Sequence, residues 1–186
     1  MDLKKLEDYS LNDNDIHKIV GSDTLILPYS ALSQVNDITT LLNQHPKIVI
    51  FFEEEKHGKS EIGHWEAIKM IGHSIQFFDS YGLIYDKARE WLSENQLVKL
   101  KEVKPELHRL FMKAYDDGYQ ILYNHIQYQK YNKNISTCGR FASVFLVKGD
   151  LRKNQFQNFM INLVKQYNVR SYDEAITKFV WDNWGI

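Results

Sequence analysis

The sequence predicts a mixed α+β domain, a central mixed sheet of about four to six strands flanked by helices. Three observations predict it. The run Lys47-Ile48-Val49-Ile50-Phe51-Phe52 is apolar and β-branched, and lies between His45-Pro46 and an acidic cluster, the pattern of a buried strand. The segments from His64 to Met70 and from Ser74 to Asp79 read as two strands joined by a tight turn at Gly72-His73, hence a hairpin. After Cys138 the apolar spacing changes to that of a helix: Phe141, Val144, Phe145 and Val147 form one stripe.

The remaining elements follow in chain order. Polar residues from Ser10 to Asp15 precede Ile16 as a helix start, and Thr24 to Leu27 is a short strand. Ser33 to Asn43 reads as a helix presenting Val35, Ile38, Leu41 and Leu42. Tyr85 to Asn95 reads as a helix with Ala88, Trp91 and Leu92 turned inward, and Glu106 to Tyr115 as another. Tyr119 to Gln129 reads as a strand. Leu151 to Tyr167 is amphipathic through Phe156, Phe159, Met160, Leu163 and Val164, and Tyr172 to Trp181 is the last helix. A chain of 186 residues suits one domain, so residues 1–186 are expected to form a single unit.

Composition narrows the function classes. With 23 basic and 24 acidic residues there is no general pull towards nucleic acid. The groups Lys99, Lys101, Lys104 and Lys148, Arg152, Lys153 read as solvated charge. One cysteine excludes an internal disulfide and a cysteine-rich zinc site, and the seven histidines lack metal-ligand spacing, so no metal and no cofactor are expected. The first eight residues are too charged for a signal peptide and no apolar run reaches the length of a membrane span. An intracellular, non-secreted protein with a reduced thiol is expected.

Cys138 is the centre of the candidate chemistry. It lies in Ser136-Thr137-Cys138-Gly139, just before the predicted helix, where the helix N-terminus favours a thiolate. Gly139 leaves room for close approach of a substrate backbone. A turn centred between Gly72 and His73 brings His64 and Asp79 to the same end of the hairpin, opposite or one diagonal apart. Asp79 can then orient the His64 imidazole, which can take the thiol proton. An oxyanion would be held by the Cys138 backbone N–H and a side-chain amide upstream, for which Gln127, Gln129, Asn132 and Asn134 compete. Trp65 either walls the imidazole, lines the cleft or packs in the core.

Gly63-His64-Trp65, Phe77-Phe78-Asp79-Ser80-Tyr81-Gly82 and Thr137-Cys138-Gly139-Arg140 together resemble the clan of cysteine peptidases that includes adenain and the SUMO proteases, within the papain-like superfamily. The chain order His, Asp, Gln, Cys matches that clan and not papain itself. The likeness spans roughly Thr24 to Lys148, and Tyr128-Gln129 ahead of Thr-Cys-Gly-Arg is closest to the small proteases of large DNA viruses and virophages. The resemblance implies an endopeptidase that matures virions by cutting capsid or core precursors, often at small residues such as Gly. It also implies a site of His64, Asp79 and Cys138, with Gln129 in the oxyanion hole and Gln127 and Asn132 as alternatives. Trp65 and Gly139 would line the substrate cleft. The expected partner is a protein substrate, the expected setting the host cytoplasm and the virion, and the expected state a monomer.

Two departures accompany the likeness. The clan's glutamine lies six or seven residues before the cysteine, where this chain has Asn132 and Tyr131, and Gln129 lies nine before. Adenain's activating peptide is joined by a disulfide to a second cysteine, and this chain has none, so no disulfide-linked activator is expected. An isopeptidase acting on ubiquitin or a ubiquitin-like modifier is the alternative. An acyltransferase of the same catalytic order lacks the basic cluster its cofactor would need.

Overall fold

The structure, a computed structural model, describes residues 2–57 and 60–186, the side chains of 55–62 excepted. Five strands form one sheet in chain order: β1 Leu25–Pro28, β2 Lys47–His57, β3 Ser60–Ile71, β4 Ser74–Asp79 and β5 Gln120–Tyr123. The central pairs β2–β3 and β3–β4 are antiparallel, and the outer pairs β1–β2 and β4–β5 are parallel. The sheet is therefore mixed, as the sequence predicts.

Eight α-helices accompany the sheet among the described residues: α1 Leu3–Asp8, α2 Asp13–Val20, α3 Ile38–Gln44, α4 Glu94–Leu100, α5 Glu106–Asp116, α6 Cys138–Lys148, α7 Gln155–Tyr167 and α8 Tyr172–Trp184. Alternation along the strands sends their side chains into two cores. Val49, Ala67 and Phe78 pack with Phe141, Phe145, Phe156 and Ile176 on the side of α6, α7 and α8. Ile48, Ile50, Ile68 and Phe77 pack with Leu42, Leu107 and Phe111 on the side of α3 and α5. Helix α6 is buried from Cys138 to Leu146, which fixes Cys138 and its element against the sheet. Lys69 of β3 anchors its far end, donating to the carbonyls of Phe145 and Gly149.

The hairpin register is the one a Gly72-His73 turn dictates. Gly72 adopts φ 59°, the left-handed region that glycine enters without a Cβ penalty. Ile71 then faces Ser74, and the ladder runs to Glu66 opposite Asp79. His64 thus sits one diagonal from Asp79 on the same face.

Four elements differ from the sequence reading. The strand expected from Tyr119 to Gln129 stops at Tyr123, because Asn124 turns its carboxamide on the backbone of Asp79 and the N–H groups of Tyr128 and Gln129 both donate to the Ser80 carbonyl. The helix expected from Tyr85 to Asn95 is a 3₁₀ turn over Lys87–Trp91, followed by α4. Asp86 precedes that turn at φ 65°, its carboxylate accepting from the Tyr29 hydroxyl and the N–H groups of Leu107 and His108, and Ser93 starts α4 with a capping box to Gln96. The helix expected from Ser33 begins at Ile38, where the Asp37 side chain caps Thr39 and Thr40; a 3₁₀ turn over Tyr29–Gln34 precedes it. Helix α7 starts at Gln155 instead of Leu151, since Lys153 and Asn154 both have positive φ.

Candidate active site

Cys138, His64 and Asp79 converge at one end of the sheet. Asp79 is fully buried and His64 is 2% exposed. The His64 Nε2 lies 2.5 Å from Asp79 Oδ2. The other carboxylate oxygen, Oδ1, accepts from the N–H groups of Tyr81 at 2.7 Å and Leu83 at 3.1 Å. With Nε2 committed to Asp79, Nδ1 is the imidazole nitrogen left for the thiol.

Burial alone would lower the His64 pKa. The charge and hydrogen bond of Asp79 outweigh it, a hydrogen bond and charge from Cys138 add to them, and the imidazole is raised well above its ordinary value. Cys138 is 7% exposed and opens α6, where the free N–H groups of the first turn concentrate positive potential. A thiolate here has an imidazolium on one side and a helix N-terminus on the other.

The surroundings hold the pair in place. Tyr81 stacks on the imidazole at 5.0 Å, and Trp91 meets it edge-on at 5.6 Å. Trp91, expected in the core, is 39% exposed and walls the site. Asn124 donates to the Asp79 carbonyl at 2.8 Å and accepts from the Asp79 N–H at 2.9 Å, so one side chain fixes the backbone of Asp79. Sequence reasoning missed Asn124, Tyr81 and Trp91; the only local signal was an Asn ending an apolar strand run, a residue type that often diverts backbone pairing.

Glu66 stands directly opposite Asp79, is 2% exposed and leaves Oε2 without a partner. Burial, then the Asp79 charge, push its carboxyl well above the usual range. Burial likewise raises Glu102, 1% exposed, to about 7. A carboxyl whose folded pKa is raised stabilises fully below its unfolded value of 4.5 and loses that contribution as pH climbs through about 7. The melting temperature is therefore expected to fall across that window, and Glu102→Gln to flatten the fall; an equally steep fall in the variant would contradict the assignment.

Of the four oxyanion candidates, only Gln129 is buried, at 1% exposed. Its Oε1 accepts from Ser80 Oγ at 2.7 Å, and its Nε2 donates to the Ile135 carbonyl at 3.1 Å. A carboxamide has two N–H groups, so one remains for a developing oxyanion. Gln127 is exposed and donates to the Gln129 carbonyl. Asn132 is exposed, its side-chain oxygen accepting from the Asn134 N–H.

A cleft of about 810 Å³ opens beside Cys138, walled by Trp65, Phe51 and Gly63, by Ile26 and Pro28, and by the segment from Ser10 to Asp13. Trp65 thus borders the cleft and not the imidazole. Gly139 is buried where an added Cβ would stand 3.0 Å from Trp65 Cδ1 and 3.1 Å from Leu11 Cβ, so its missing side chain serves packing beneath the cleft.

The N-terminal segment belongs to the site. Three of its carbonyls, those of Glu7, Tyr9 and Leu11, accept from Ser136 N–H at 2.7 Å, Arg140 Nη1 at 2.7 Å and Trp65 Nε1 at 3.1 Å. All three donors flank Cys138 or the cleft. Asp173, at the first turn of α8, clamps the same loop, accepting from Thr137 Oγ1 at 2.6 Å and Lys130 N–H at 3.2 Å.

No family model matches the chain. It is 27% identical over 177 residues to Uncharacterized protein V9 of Sputnik virophage, covering 95% of this chain and 97% of that one. Among solved structures it is similar to the C-terminal Ulp1 protease domain in complex with Smt3, the yeast ortholog of SUMO, at TM-score 0.37 and 12% identity over 96% of this chain and 78% of that one. The central domain of the uncharacterized Lpg1148 protein from Legionella pneumophila matches at TM-score 0.39 and 12% identity, over 94% and 99% of the two chains. At these values the chemistry rests on the site's own residues.

Proposed function

We propose that this chain is a cysteine endopeptidase that cuts capsid or core precursor proteins during virion maturation. The observation that carries the reading is the buried His64–Asp79 pair set against Cys138 at the N-terminus of α6. His64, oriented by Asp79, takes the thiol proton. The thiolate attacks the scissile carbonyl, forming the carbon–sulfur bond. The Cys138 N–H and the Gln129 carboxamide receive the oxyanion. His64⁺ then protonates the departing amine as the carbon–nitrogen bond breaks, and water, deprotonated by His64, hydrolyses the thioester.

A preference for small residues such as Gly at the scissile bond is carried by the family resemblance alone. The 27% identity to a virophage protein supports a viral setting, the host cytoplasm and the virion. The reading needs no metal, and no disulfide-linked activator, because Cys138 is the only cysteine.

The test is digestion of a proteome-derived peptide library beside the Cys138→Ala control. Cleavage is expected after Gly or another small residue, in the wild-type chain alone. A library left intact, or cut equally by both proteins, would overturn the reading. Release of ubiquitin-like modifiers from C-terminal fusions, with no cleavage of linear peptides, would replace it by the isopeptidase.

A further inference from the structure

A second concavity lies away from Cys138. It has a volume of about 590 Å³, within the roughly 300–1,000 Å³ typical of ligand pockets. One wall is the backbone from Gln127 to Lys130, and the facing wall is α7 with the turn into α8. Its floor is apolar: Tyr128, Ile161, Val164 and the ring of Tyr172. Lys130, Lys165 and Arg170 stand on its rim, all exposed. No carboxylate lines it.

Of the neighbouring carboxylates, Glu7 lies near enough to Lys130 to feel its charge, and the other two are engaged elsewhere. Asp173 is fully buried and turned to Thr137 and the Lys130 N–H, and Glu174 accepts from the Arg170 N–H. Among the described residues none of the three cations forms a salt bridge. In a chain with a formal charge of −1, three cations outside these salt bridges around an apolar floor are a local excess that a complementary anion would neutralise. The cations are spread around the rim while the floor is greasy, so one compact anion cannot use both. A short peptide can, with an apolar side chain below and carboxylates above.

We propose that this groove docks a short acidic segment of a protein, with an apolar side chain on the floor and carboxylates on Lys130, Lys165 and Arg170. The groove shares the Gln127–Lys130 backbone with the candidate active site, since Tyr128 and Gln129 both donate to the carbonyl of Ser80, next to Asp79. The proposal deepens the peptidase reading by giving the protein substrate a second point of attachment. Its readout is binding, so a failure of hydrolysis and a failure of docking are told apart.

The experiment is fluorescence anisotropy of a fluorescein-labelled Glu-Glu-Leu-Phe-Glu-Glu peptide titrated with the full chain. Saturable binding is expected in about 50 mM salt and several-fold weaker binding in about 500 mM, as the screening length shortens. The Lys130→Glu, Lys165→Glu, Arg170→Glu triple variant should bind at least about tenfold more weakly at an unchanged melting temperature. If that variant melts early, the corresponding triple Gln variant decides, with the same loss expected. Val164→Asp should weaken binding as well, by spoiling the floor. The proposal is overturned if the peptide does not bind, if the folded charge variant binds equally, or if a Lys-for-Glu peptide or a single-stranded RNA binds as tightly as the acidic peptide.

Discussion

Cys138→Ala is expected to abolish peptide hydrolysis, a loss of roughly 10⁶-fold in kcat, the scale seen when a triad loses its nucleophile. No second thiol can substitute, because the chain has one cysteine. The substitution should leave the fold alone. Alanine fits where Cys138 sits at the start of α6, keeps the helix, and removes a single heavy atom, a change worth about 1 kcal/mol by burial. Circular dichroism and the melting temperature check the fold, and a quenched-peptide assay checks the rate. A variant that still cuts at wild-type rate would remove Cys138 from the mechanism.

Asp79→Asn is expected to cost up to about 10⁴-fold in kcat/KM, the penalty of holding a triad histidine in the wrong tautomer. Asparagine can keep the bonds from the Tyr81 and Leu83 N–H groups through its Oδ1. Its amide nitrogen then faces His64 Nε2 and donates to it, which puts the imidazole proton on Nδ1, pointing at the thiol. The imidazole can no longer accept the thiol proton, and it loses the neighbouring anion that raises its pKa. The alkaline limb of the pH–rate profile should therefore move to lower pH in the residual activity. A loss of less than tenfold with an unmoved profile would show that Asp79 is structural.

The pieces of this site were unequally legible in the sequence. The hairpin could be read because its register follows from one turn: with Gly72 in the left-handed region, pairing Ile71 with Ser74 leaves His64 and Asp79 no other relative placement. Cys138 at a helix start could be read from the change to helical spacing. Resemblance alone favours Gln129 in the sequence, and the structure adds what distinguishes it from Gln127 and Asn132: it is buried and bonded to Ser80 and Ile135. What could not be read depends on contacts distant in sequence. Asn124 reaches Asp79 across 45 positions, and Arg140 reaches the Tyr9 carbonyl across 131. No periodicity encodes either. The error at Tyr85 to Asn95 had the same origin, since Asp86 is held in the left-handed region by Tyr29 and by the start of α5. Trp91 then leaves the core and stands over His64.

Helix α1 shows a further limit of local pattern. It contributes no buried residue, so no apolar stripe marks it. Its Glu7 carbonyl nevertheless accepts from the Ser136 N–H beside Cys138, and in the segment that follows it the Tyr9 and Leu11 carbonyls accept two more bonds while Ser10 to Asp13 wall the cleft. Backbone carbonyls carry that role, and they are the same whatever the side chains.

The central claim is that His64 and Cys138 act as an imidazolium–thiolate pair, and alkylation tests it most directly. The rate of Cys138 carboxymethylation by iodoacetamide should be measured at about pH 6, far below the ~8.5 at which an isolated thiol ionises. Fast alkylation is predicted for the wild-type chain and slow alkylation for folded His64→Gln, whose neutral side chain cannot hold the thiol's proton. Equal rates in the two proteins would contradict the account.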